Sequence, residues 1–170
     1  MESLSLQNKV AIITGSSSGI GAAAAKLMAR RGAKVTLHGR NQARLDAVKE
    51  DVEKAGVDSS NVISVAGDVT DPKVREQLVS KTLDAFGQID ILVNNAGDVQ
   101  LNVPLLQLSR EFLFANIDLL LHVPIHLAQL CHPHLAKTKG NIVNISSVSS
   151  FTIVVINQFS HNLQVKNLFE

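Results

Sequence analysis

At 170 residues and 45% hydrophobic content, the chain is sized for one domain that buries roughly 70% of its unfolded surface. A formal net charge of +1 and scattered basic residues give no electrostatic footprint for nucleic acid or an anionic membrane. The single cysteine, Cys131, excludes an internal disulfide, MESLSLQNK has no signal-like apolar core, and no run approaches the ~18 apolar residues of a membrane span. A soluble, cytoplasmic protein is expected.

Five short apolar runs recur along the chain: KVAIITG (9–15), KVTLHG (34–39), NVISVAGDV (61–69), IDILVNNAG (89–97) and GNIVNISS (140–147). They are near-continuous and β-branched rather than alternating, which suits strands covered on both faces. Between them lie helical patterns over 19–33, 41–56 and 71–87. Asn41 and Asp71 stand at N-cap positions, Pro72 at a tolerated first helical position, and Gly32, Gly56 and Gly87 at C-caps. A fourth helical stretch runs from about Ser109 to Ala136. Pro124 and Pro133 within it predict a kink or an early end. Strand, helix, strand at ~25-residue spacing implies right-handed βαβ crossovers and one parallel sheet in an α/β domain. FTIVVINQF (151–159) breaks the rhythm, with no helix pattern behind it. The expected division is a domain over 1–148 and a divergent tail over 149–170.

The first strand runs into TGSSSGIG, Thr14 to Gly21, and then directly into an alanine-rich helix. Glycines at 15, 19 and 21 permit a sharp turn, a close backbone approach to a pyrophosphate and tight packing of helix on sheet. The helix N-terminus then offers free N–H groups and its positive dipole end to phosphates.

Thr14-Gly-x-x-x-Gly-x-Gly21, Asp68-Val69 after the third strand, Asn94-Asn95-Ala96-Gly97 after the fourth, and GNIVNISS together resemble the short-chain dehydrogenase/reductase family over about residues 6–148. The resemblance implies a Rossmann-type doubly wound parallel sheet, here truncated after about the fifth strand, and an oxidoreductase that interconverts a small-molecule carbonyl and alcohol by hydride transfer. It assigns cofactor contacts to Thr14, Gly15, Ser17, Ser18, Gly19, Ile20 and Gly21. Asp68 and Val69 would meet the adenine, and Asn94, Ala96 and Gly97 the region near the ribose. Standing alone, Asn94-Asn95 would be an ordinary turn after a strand. At the end of the second strand, His38-Gly39-Arg40-Asn41 holds no carboxylate for a ribose 2′-OH, and Arg40 offers a planar fork to a phosphate. NADP(H) is favoured over NAD(H); the plainer alternative is a solvated arginine in a tight turn.

The family's catalytic serine maps to Ser147 and its helix asparagine to Asn116, with a strand-end hydroxyl and an ordinary helical polar residue as the plainer readings. Its tyrosine and lysine would fall at positions 160 and 164, occupied here by Ser160 and Gln164, and the chain contains no tyrosine. An alkyl hydroxyl is too weak an acid to give a proton at neutral pH, and glutamine has no charge to tune one. His161 is adjacent and titratable, but a poor replacement. Loss of a general acid costs ~10²–10⁴ in rate. The alternatives to an impaired oxidoreductase are a non-catalytic dinucleotide-binding or dimer-partner protein, and a truncated product whose tail arises from altered splicing or a shifted frame. The loop between NNAG and Asn116 is shorter than the family's, which leaves the substrate open. An uncovered fifth strand would invite association, so a homo-oligomer fits; FTIVVI (151–156) has the profile of an aggregating strand, or would add to that edge and protect it. His122 and His126, and the cluster Cys131, His132 and His134, lack the ligand pattern of a metal site.

Overall fold

The computed structural model describes residues 5–97 and 108–147. Their elements run β1 (Val10–Ile13), α1 (Gly19–Arg30), β2 (Lys34–Gly39), α2 (Gln42–Lys54), β3 (Val62–Ala66), α3 (Pro72–Phe86), β4 (Ile91–Asn94), α4 (Arg110–Ile117), α5 (Val123–Thr138) and β5 (Asn141–Asn144). The sheet order is β3-β2-β1-β4-β5, and every neighbouring pair is parallel. This is the doubly wound arrangement expected from the sequence. The tail 149–170, the loop shortened after NNAG, Ser160, His161 and Gln164 lie outside the described residues.

The two faces follow from the pleat. Ala11 and Ile13 of β1 point to one side, where Ala22, Ala25 and Ala29 of α1 and Leu45, Val48 and Val52 of α2 close over them. The alanines bring α1 close to the sheet, and each buried Leu or Val of α2 contributes about 1.5–3 kcal/mol relative to exposure. Ile12 points to the other side, into Leu78 and Val79 of α3 and Val123, Leu127, Cys131 and Leu135 of α5. Strands buried on both faces cannot alternate in polarity, which is why their sequences read as continuous apolar runs.

The capping expectations hold. Asn41 and Asp71 accept from the backbone N–H of Arg44 and Lys73, Pro72 opens α3, and Gly32, Gly56 and Gly87 have positive φ past α1, α2 and α3. Of the kink or early end expected for the fourth helix, the early end does not occur. α4 passes into α5 through a π-helical stretch, Asp118–His122, and α5 carries Pro133 in its interior. The wider π turn sits just ahead of Pro124, whose missing N–H has no α-helical bond to lose there. The continuous helix Arg110–Thr138 is 29 residues long with a mean hydropathy of 1.3 in its most apolar window, so by length and composition it reaches membrane-span dimensions. The sequence reading, which looked for an unbroken apolar run, did not register this helix as one of such dimensions. One stripe of α5 is nonetheless packed on the sheet. Among the described residues β5 is the edge strand opposite β3, with its Ile142 and Val143, and Ile145 just past it, each 42% exposed.

At the amino edge of the sheet, the buried Asp90 carboxylate gathers Lys9 Nζ (2.8 Å), the Val10 N–H (3.0 Å) and Gln88 Nε2 (2.6 Å). Burial pushes its pKa up, but these donors outweigh it and hold the carboxyl below its ordinary value. Asp90→Ala leaves the Val10 amide without its acceptor and is expected to cost about 1–3 kcal/mol in urea unfolding, with the loss smaller at pH below the carboxylate's titration, where wild type has given up the charged form's contribution.

Candidate functional site

Parallel strands send all their carboxyl ends to one edge, and here the crossovers part between β1 and β4, the crevice where ligands bind in such sheets. Thr14 closes that gap. Its buried Oγ1 accepts from the backbone N–H of Asn95 (2.9 Å) and Ala96 (3.0 Å) and donates to the Val93 carbonyl (3.3 Å). Asn95 Nδ2 in turn donates to the carbonyls of Thr14 (2.9 Å) and Gly15 (3.2 Å). The turn is thereby laced to the end of β4. Gly15 has φ +64°, and a Cβ there would stand 2.9 Å from Ala96 Cα; one on Gly21 would stand 2.5 Å from both Asn95 Nδ2 and the Gly15 carbonyl oxygen. Neither position has room for a side chain. Ser18 caps α1 in extended conformation with no side-chain hydrogen bond, whereas Asn41, Asp71 and Ser109 cap α2, α3 and α4 with theirs. The amides opening α1 are left to an outside acceptor.

A cleft of about 480 Å³ opens over this turn. It brings together Gly15, Ser17, Ser18, Arg40, Asp68, Val69, Ala96, Gly97 and Asn116 of the residues proposed from sequence. Thr14, Gly19, Ile20, Gly21 and Asn94 do not line it. Thr14 and Gly21 build the turn from behind, and Asn94 Nδ2 donates to Asn144 Oδ1 (2.9 Å), tying β4 to β5. The sequence reading missed His38, Asn41, Arg44, Thr70, Phe112 and Leu119 in the lining. Arg44 lies four residues past Arg40, in the first turn of α2, a nearness in sequence that could have signalled a second cation.

The walls are electrostatically set. Asp68 Oδ1 accepts from the Thr70 N–H (2.9 Å) and hydroxyl (2.8 Å). These bonds, with a smaller contribution from Arg40, hold its carboxyl below the ordinary range. Buried Arg75 donates through Nη1 to the carbonyls of Val69 (2.8 Å) and Thr70 (3.0 Å) and through Nε to His126 Nδ1 (2.8 Å), fixing the turn that carries Asp68 and Val69. His126 therefore serves Arg75, and His122 Nδ1 pairs with Asp118 (2.7 Å).

Of the two residues proposed for chemistry, Asn116 lines the cleft and donates to the Phe112 carbonyl (2.8 Å), two residues ahead of the π-helical stretch. Ser147 is exposed, three residues past β5 on the same carboxyl edge.

With this geometry, the comparisons with known proteins agree on one family. The chain belongs to the short chain dehydrogenase family, whose model matches residues 9–158. It is 40% identical over 152 residues to an uncharacterized oxidoreductase of Staphylococcus saprophyticus, covering 87% of this chain and 62% of that one. The apo-form glucose dehydrogenase of Caenorhabditis elegans superposes with a TM-score of 0.77 at 47% identity, covering 85% of this chain and 56% of that one. L-sorbose reductase from Gluconobacter frateurii, complexed with NADPH and L-sorbose, gives a TM-score of 0.79 at 35% identity, covering 86% and 55%. The chain thus spans little more than half the length of these relatives. The NAD(P)-binding fold and oxidoreductase family are those of the sequence reading.

Gly21→Ala tests the turn. The added methyl must displace Asn95 or the Gly15 carbonyl, so any saturable dinucleotide binding, titrated with NADPH and with NADH by fluorescence, is expected to disappear while far-ultraviolet circular dichroism stays helical.

Proposed function

We propose that the chain holds NADP(H) in a short-chain dehydrogenase scaffold built for carbonyl–alcohol interconversion, and that proton delivery is impaired within these 170 residues. The observation that carries the cofactor reading is the turn itself: a cradle too tight for a Cβ, beneath amides that no side chain caps. The donor set fits a dinucleotide. Gly15, Ser17 and Ser18 would face the pyrophosphate, Asp68 and Val69 the adenine, and Ala96 and Gly97 the ribose side. Thr14 and Gly21 would act from behind the turn, and Asn94 by tying β4 to β5. Arg40 and Arg44 line the cleft where β2 ends without a carboxylate, which supports a 2′-phosphate. The bound L-sorbose reductase relative carries NADPH.

When bound, the nicotinamide supplies or accepts the hydride. Ser147 would polarise the carbonyl, and Asn116 would support the proton path from the cleft wall. What the chain lacks is an acid at position 160 and a cation at position 164. A cytoplasmic setting belongs to the same proposal, supported by Cys131 as a buried free thiol that burial pushes up to about 12. So does self-association: Leu113, Phe114, Ile117, Leu121 and Ile125 leave an apolar surface along α4 and α5, each 46% exposed or more.

The purified chain is expected to bind NADPH saturably and to show no carbonyl reduction above background across a broad substrate panel. Turnover that Ser147→Ala abolishes would overturn the impaired reading. Arg40→Ala is expected to weaken NADPH on the order of tenfold to a hundredfold and to leave NADH nearly unchanged, measured by fluorescence titration. Equal losses for both nucleotides would remove the 2′-phosphate assignment.

A further inference from the structure

We propose that His38 is the positioning residue of the phosphate turn, a neutral imidazole with Nδ1 bare and Nε2 protonated whose bond to Gly15 sets dinucleotide affinity. The inference rests on the dinucleotide reading above and adds to it a residue of β2 that touches the turn from the side. His38 is 2% exposed. Its Nδ1 lies 3.3 Å from the Gly15 backbone nitrogen and its Nε2 lies 3.2 Å from the Gly67 carbonyl oxygen. An amide N–H can only donate and a carbonyl can only accept, so the two contacts together leave one tautomer. The main chain of the same residue doubles the grip: its N–H donates to Ser16 Oγ (2.9 Å) and its carbonyl accepts from the Ser16 N–H (2.8 Å). Residue 38 thus ties the turn after β1 to the turn after β3 across the end of β2.

Gly15 is the residue whose left-handed conformation starts the turn toward α1. A ring that orients its amide orients the direction of every amide after it. This is a task for a rigid acceptor, and an imidazole fixed at both nitrogens is more rigid than the threonine or serine hydroxyl that could reach the same amide alone.

The charges around the ring are few. Asp68, from the turn after β3, favours the protonated form. Arg40 and Arg44 line the same cleft from the β2–α2 side, and TGSSSGIG carries no ionisable side chain. Burial outweighs the Gly67 bond and Asp68, and holds the imidazole below its ordinary pKa of 6.5. A second proton would place Nδ1–H against the Gly15 N–H, donor against donor. Between the lowered folded value and 6.5 the unfolded chain binds the extra proton and the folded chain does not, so this contribution to stability is complete above about pH 6.5 and is lost as pH falls through that window.

Three substitutions separate the bonds. In His38→Asn the side-chain oxygen can stand where Nδ1 stands; His38→Gln keeps only a donor toward Gly67; His38→Leu keeps neither. Affinity for NADPH and for NADH at pH 8 is titrated by fluorescence on each variant, with urea unfolding alongside to show that each is folded. Asn is expected to stay within about twofold of wild type, while Gln and Leu weaken both nucleotides about twofold to tenfold, the range of one hydrogen bond. In uniformly ¹⁵N-labelled wild type, the imidazole shifts should show protonated Nε2 and bare Nδ1, and the urea midpoint should fall between pH 7 and 5.5 more steeply than in Asn. A Gln variant that binds like wild type, an Asn variant as weak as Leu, or an Nδ1-protonated ring overturns the inference and leaves the dinucleotide reading standing. No binding of either nucleotide by wild type overturns both.

Discussion

Thr14 Oγ1 is the atom on which the carboxyl edge depends. Between β1 and β4 the chain must leave the sheet in both directions, and the backbone groups that leave it lose their ladder partners. One hydroxyl, accepting two amides and donating to a third strand residue, closes that account inside the protein, and the Asn95 amide closes the carbonyl side. Thr14 and Asn95 satisfy the inner groups, and the backbone donors that open α1 are left without a side-chain cap. The cradle is therefore a consequence of sheet topology and two polar side chains. None of these needs to touch a reacting atom.

The site is therefore expected to be unevenly sensitive to change. Amides cannot be substituted away, and a methyl forced into Gly15 or Gly21 would meet neighbouring atoms at 2.9 Å and 2.5 Å. The chemistry proposed for the family rests instead on single side chains. A scaffold for binding can persist where proton delivery does not, at no cost to the core residues beneath it.

Much of the fold was legible because its signals are local. β2 occupies the six residues of KVTLHG, and the caps at Asn41, Asp71 and Gly87 mark their helices because each satisfies a backbone group within its own turn. The glycines of TGSSSGIG were legible for the same reason. Non-local partners were not. His38 reads as one more polar residue ending a strand, and only β1 and β3 arriving on either side give its ring two partners. Arg75 likewise looks like a solvated helix residue until α5 and the turn after β3 enclose it. The bonds of Thr14 to Val93, Asn95 and Ala96 were equally hidden, because sequence spacing cannot say to which side a hydroxyl points.

The fourth helix shows where a local rule is overruled by packing. Proline at 124 and 133 argued for interruption, yet Val123, Leu127, Cys131 and Leu135 each reach the sheet, and that stripe keeps α5 seated past Pro133. Burying four apolar side chains is worth several kcal/mol, against about 3 kcal/mol for a proline in a helix interior. The irregularity next to Pro124 is the π stretch Asp118–His122, two residues beyond Asn116. A π turn shifts the angular position of everything on its far side, so the face that presents Asn116 to the cleft and the face that presents Val123 to the core need not coincide. The irregularity that sequence rules would count as a defect lets one helix serve the cleft with its first half and the core with its second.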